Sequence, residues 1–133
     1  MKLLLIIAAV IEAVAGVTLL LMPAVAVSAL LGAALDTATG LVAGRIAGAA
    51  LVGLAIACWQ ARDGERGSPA TGVVEAMSFY NFAGAMVLVY AGVRLELRSA
   101  LLWPAIVLHL VLGAWCVMTL WFTRRRISRT EMT

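Results

Sequence analysis

The chain is short of charge. Asp, Glu, Lys and Arg make up 13% of its 133 residues, while 64% are hydrophobic and the mean hydropathy is +1.05. A water-soluble domain carries about twice that share of charge, so an ordinary soluble domain is excluded. Cysteine is scarce as well. Cys58 and Cys116 are the two present, with no CxxC spacing, which excludes a disulfide-stapled secreted module. Three prolines and little charge exclude a collagen-like or disordered low-complexity chain. The single histidine, His109, excludes a bis-His haem or a His-rich metal centre within one chain. No phosphate-binding glycine loop, nucleophile elbow, HExxH or carboxylate pair is found. Neither a metal nor a cofactor is expected.

What is abundant is uninterrupted apolar sequence. A membrane-crossing helix needs ~20 mostly apolar residues, and residues 3–22, 40–59, 73–93 and 100–122 qualify. These spans leave no room for a separate soluble domain. The expectation is an all-α, integral membrane four-helix bundle of up-down-up-down order, residues 1–133 forming one domain. The boundaries are marked by chemistry. Met22-Pro23 stops the first span, and Asp36 to Thr39 offer capping oxygens before the second. A polar, turn-forming loop fills 60–72, and Arg94 to Arg98 separate the last two spans. Pro104 falls in the first turn of the fourth helix, where a missing N–H is tolerated. Trp59, Trp103 and Trp121 fall near span ends, at headgroup level. Residues 24–35 (AVAVSALLGAAL) are too few to cross and read as a short helix at the interface, or a shallow re-entrant piece.

Lys and Arg set the expected orientation. Four spans place both termini and the 60–72 loop on one side. That side holds Lys2, Arg62, Arg66, Arg124, Arg125, Arg126 and Arg129, against Arg94 and Arg98 opposite, with Arg45 as a flanking third. The bias predicts a multi-pass protein of the bacterial inner membrane with both termini in the cytoplasm and a basic cytoplasmic tail at 123–133. The net charge of +3 is then a topology signal; no nucleic-acid partner is expected. The first span, long and interrupted by Glu12, reads as a retained helix and not a cleaved signal peptide.

Each span carries one conspicuous polar residue: Glu12, Arg45, Asn81 and His109. Polar side chains in hydrocarbon are costly and are functional candidates by default. From the cytoplasmic boundary, the helical rise puts Glu12, Asn81 and His109 at roughly 13, 12 and 18 Å of a ~30 Å core. They share a layer, and Arg45, higher up at roughly 24 Å, reaches down or snorkels outward. In each helix Gly or Ala follows the polar residue at i+4, which permits close approach. The expected interior is therefore a midplane cluster of Glu12, Arg45, Asn81 and His109, with Tyr80 and Ser78 as secondary candidates. Paired with Arg45, Glu12 stays ionised; alone among apolar groups, it becomes a proton-exchange site. A satisfied polar core, with Glu12 paired to Arg45 or His109 and nothing bound, fits the same pattern.

Two family resemblances follow from these residues. Ile11-Glu12-Ala13-Val14-Ala15-Gly16-Val17-Thr18, with the chain length, resembles the first helix of small multidrug resistance exporters. That implies an antiparallel dimer exchanging protons for cations through Glu12. The aromatic-rich later helices of that family are not matched by 40–59, and the charge bias opposes dual topology. More of the chain resembles uncharacterised bacterial four-helix proteins of the DoxX-like kind: residues 44–59 (GRIAGAALVGLAIACW), Tyr80-Asn81, and Leu102-Trp103-Pro104-Ala105 with His109. This implies a four-helix bundle in a bacterial inner membrane and little about activity. The leading expectation is a non-catalytic binder of a small or lipid-like molecule, or an accessory subunit of a larger membrane complex. The alternatives are a proton-coupled exporter acting as a homodimer, and a small redox or isomerase enzyme using Glu12 and His109 as base and acid.

Overall fold

The structure, a computed structural model, describes residues 1–64 and 69–130, and the side chains of all of these except 124 and 126–130. It contains five helices, α1 (Lys2–Leu21), α2 (Pro23–Leu31), α3 (Ala38–Ala61), α4 (Pro69–Val93) and α5 (Leu102–Thr130), and no strand among the described residues. α1, α3, α4 and residues 102–123 of α5 are long and apolar enough to cross a membrane.

Local chemistry explains the boundaries. Met22 caps α1, and Pro23 opens α2 as its first residue, where it forfeits no helical hydrogen bond. α2 is shorter than the apolar run 24–35. Gly32 adopts a left-handed φ of 71° and donates its N–H to the Ser28 carbonyl, closing the helix after Leu31. The Thr37 hydroxyl accepts the Gly40 N–H at 3.1 Å and starts α3. α4 begins at Pro69, four residues before the apolar run, again with proline in the first turn. α5 continues beyond 122 because its arginines are good helix formers. Residues 131–133 of the expected tail, Arg66, and the side chains of Arg124, Arg126 and Arg129 lie outside the described residues.

Consecutive long helices run antiparallel, in two tight pairs. α1 packs along α3 through backbone contact at two glycines. A Cβ on Gly16 would lie 2.8 Å from the Val52 nitrogen and 2.9 Å from the Gly48 oxygen; one on Gly48 would strike the Leu20 nitrogen. Small residues thus bring the two backbones together. α4 packs along α5, with His109 over Gly84, Leu102 against Gly92 and the Phe82 ring against Gly113. Between the pairs the contacts concentrate at the two ends. Leu4, Leu5, Ala8 and Ala9 meet Cys58, Val74, Met77, Leu112 and Cys116 near the chain's start. Leu88, Leu102 and Ile106 meet Leu30 and Leu31 of α2 at the other end. Both cysteines are free and buried.

Polar contacts tie each end. Near the N-terminus, Lys2 Nζ donates to Asp63 Oδ1 at 2.7 Å, joining α1 to the turn after α3. That hydrogen bond holds the Asp63 carboxyl below its ordinary range, with the nearby charges of Lys2 and Arg62 acting the same way. At the opposite end α2 is fixed twice. Pro23 is buried beside Gly44. The Ser99 hydroxyl lies 2.6 Å from the Ala29 carbonyl oxygen and 3.0 Å from that of Leu30, and accepts the Leu101 N–H at 3.0 Å. One side chain thereby serves the last carbonyls of α2 and the approach to α5.

Candidate functional site

The layer between the two apolar clusters is polar. On α1, the row Leu5, Ala8, Ala9, Glu12 and Gly16 faces inward, which buries Glu12 to 2% exposure. On α4, Val74, Met77, Asn81, Ala85 and Leu88 form the inward row, with Tyr80 at its edge, and Asn81 is fully buried. His109 is half-buried on α5, its ring lying over Gly84, where no side chain competes for the space.

These side chains form two short chains of hydrogen bonds. The Tyr80 hydroxyl donates to Glu12 Oε2 at 3.3 Å. Asn81 Nδ2 donates to the Met77 carbonyl at 2.8 Å, and Asn81 Oδ1 lies 3.0 Å from His109 Nδ1. The Tyr80 and His109 rings meet edge to face, centroids 5.7 Å apart, which links the two chains laterally.

Glu12, Tyr80 and His109 line a cavity of about 430 Å³. The remaining lining is apolar except for Thr18. Leu19 and Leu51 come from α1 and α3, Ala26, Val27 and Leu30 from α2, and Leu101, Leu108 and Leu112 from the α5 side. α2 roofs it at the end away from the termini. Among the exposed lining residues, Ala15 and Thr18 on α1 face Leu101, just before α5, and Leu108 on α5 across the seam between those helices, with Ala29 of α2 also exposed. The cavity opens sideways along that seam. Its size falls within the ~300–1,000 Å³ of ordinary ligand pockets, and apolar walls with a few convergent polar groups are the usual lining of one.

The sequence candidates separate on this geometry. Glu12 and His109 reach the cavity. Asn81 sits behind it, holding His109. Tyr80, secondary in the sequence, lines it and is Glu12's hydrogen-bond donor. Ser78 is half-buried on α4 and does not line the cavity. Arg45 does not join the cluster. It is exposed, because Gly44, Gly48, Ala55 and Cys58 form the inward row of α3 and Arg45 stands about 100° from Gly44 around the helix. Glu12 is thus paired with neither Arg45 nor His109. Sequence reasoning passed over Thr18 and the contribution of α2 to the walls. Thr18 lies six residues beyond Glu12, off its strict helical stripe, and is found only by asking which residues flank a gap. Among the described residues no group of three or more His, Cys, Asp or Glu is arranged to hold a metal ion. No protein-family model, curated protein or solved structure matches the chain.

Proposed function

We propose that the protein is a multi-pass protein of a bacterial inner membrane that binds a small, lipid-like molecule in the cavity between its helix pairs, without catalysing a reaction. The observation that carries this reading is the cavity itself: a polar floor of Glu12, Tyr80 and His109 among apolar walls, partly open at the side. A guest with a polar head and an apolar body matches that division. The outward faces support the membrane setting. Val10, Val14 and Leu21 of α1, Ile46 and Ile56 of α3, Phe79, Met86 and Tyr90 of α4, and Val107, Val111 and Met118 of α5 are all exposed. Soluble monomers rarely expose contiguous apolar patches beyond a few hundred Å². The excess of Lys and Arg at the end holding the termini supports a cytoplasmic side for that end.

The test fills the cavity. Ala15→Phe puts a ring into the lateral opening from an exposed position on α1. Wild type purified in mild detergent is expected to retain a small-molecule mass in native mass spectrometry and to gain thermal stability with added single-chain amphiphiles. Ala15→Phe loses both while keeping its helical circular dichroism. A wild type that carries no guest and gains no stability from any amphiphile refutes the reading.

A further inference from the structure

Resting on that reading, we infer that the head group the cavity accepts is a hydrogen-bond donor, an alcohol or an amine, and that a carboxylate on the same tail is refused. The Met77 carbonyl oxygen can only accept, so the Asn81 amide turns its NH₂ towards it and its oxygen towards His109. That oxygen can also only accept, so in the neutral ring the proton sits on Nδ1, leaving Nε2 with a lone pair. Nε2 has no partner among the described residues, yet none of their buried side-chain nitrogens and oxygens is unpartnered. Nε2 therefore faces open space, and His109 lines the cavity.

The other polar lining groups point their protons away in the same manner. Tyr80 donates its proton to Glu12, and Thr18 donates its proton to the Val14 carbonyl at 2.7 Å. In its ionised form, the form for which the head-group preference holds, Glu12 only accepts. With Glu12 ionised, every polar side chain lining the cavity presents lone pairs, and no Lys or Arg is among the described lining residues. A hydroxyl or ammonium head supplies the missing donors. A carboxylate or phosphate head would bring a desolvated anion to a floor of acceptors, at a cost no partner offsets.

The lone histidine makes the test specific, since ring-¹⁵N histidine labelling reports His109 alone. The protein in zwitterionic nanodiscs is titrated with 1-decanol, decylamine and sodium decanoate at about pH 8, where amine and acid are both charged. Expected are an unprotonated Nε2 in the free protein, an upfield shift of that signal with decanol or decylamine, and decanoate binding weaker by roughly tenfold or more. A proton on Nε2, or decanoate binding as tightly as the others, overturns the head-group assignment. The cavity reading still stands in that case if Ala15→Phe abolishes the binding. If none of the three binds, the cavity reading falls and the assignment with it. Glu12→Gln separates the two donor classes. It weakens decylamine by roughly tenfold or more, where a charge pair is lost, and decanol by less than about threefold. Unchanged binding of both overturns the inference.

Discussion

The Tyr80 hydroxyl donates to the Glu12 carboxyl at 3.3 Å, joining α4 to α1 next to the apolar cluster where Ala8 and Ala9 meet Met77. Each of these side chains is on a helix paired with a different neighbour, so this bond stitches the two helix pairs at mid-height. Tyr80→Phe leaves the buried Glu12 without its donor. Membrane hydrogen bonds average ~0.6 kcal/mol, and a deserted buried acceptor adds to the loss. A destabilisation of about 1 kcal/mol in a reversible unfolding titration is expected. No change would mean that the bond contributes nothing to stability.

Gly48→Ala should cost about 1–3 kcal/mol, because the added Cβ meets the backbone of α1 and the helices must part. Gly53→Ala is the control on the same helix, since nothing lies within 4 Å of its Cβ. There the better helix propensity of alanine should leave stability unchanged or slightly raised. Equal losses at both positions would locate the effect in α3 itself and not in its contact with α1.

Arg45 and Glu12 offer a cycle with a definite answer. They share no partner, Arg45 being exposed and Glu12 bonded to Tyr80. The stability changes of Arg45→Gln and Glu12→Gln should therefore add within about 0.5 kcal/mol in the double variant. A strongly sub-additive double variant would put the arginine back beside the carboxylate.

The legible parts of the molecule were those governed by period and by stop chemistry. Four apolar runs, the break at Met22-Pro23 and the Thr37 cap could be read from residue order, as could the common height of Glu12, Asn81 and His109. Arg45 kept two placements in the sequence, down to the cluster or outward, because a helical wheel centred on the charged residue ignores which face its neighbours need. The backbone contact of Gly48 with Gly16 demands the inward face of α3, and Arg45 is turned out as a result. Tyr80 was undervalued for a related reason. Its Cα points about 100° from Asn81, but a phenol is long enough to reach back to Glu12. The ends moved where apolar content is a poor guide: α4 starts within polar sequence at a proline, and α5 runs on through arginines.

Ser99→Ala removes the hydroxyl that serves the α2 carbonyls and the Leu101 N–H. A loss of about 1 kcal/mol is expected, in the range of a deleted helix cap. Hydrogen exchange should rise in peptides covering 24–35, with those of α1 and α3 unchanged. Uniform exchange across the chain would show that α2 is held by other means.

The Lys2–Asp63 contact predicts a limited acid sensitivity. The folded carboxyl sits below its ordinary value of 3.8, so its stabilisation is present above that value and is lost as pH falls through the lower folded value. Both partners are exposed, so the effect should be small and should shrink in high salt. Asp63→Asn should flatten the acid limb of a thermal melting profile and leave the neutral region nearly untouched. A profile that is identical in wild type and variant would show that the contact makes no energetic difference.

α2 is held at both ends, by the buried Pro23 and by Ser99 at its last carbonyls, and so forms the ceiling of the cavity. In the bilayer setting proposed above, a guest would reach the polar floor from the acyl-chain side, so access would follow a compound's partition into the bilayer more than its concentration in the surrounding water. Two guests of equal intrinsic fit but different oil–water preference would compete unequally for the same space.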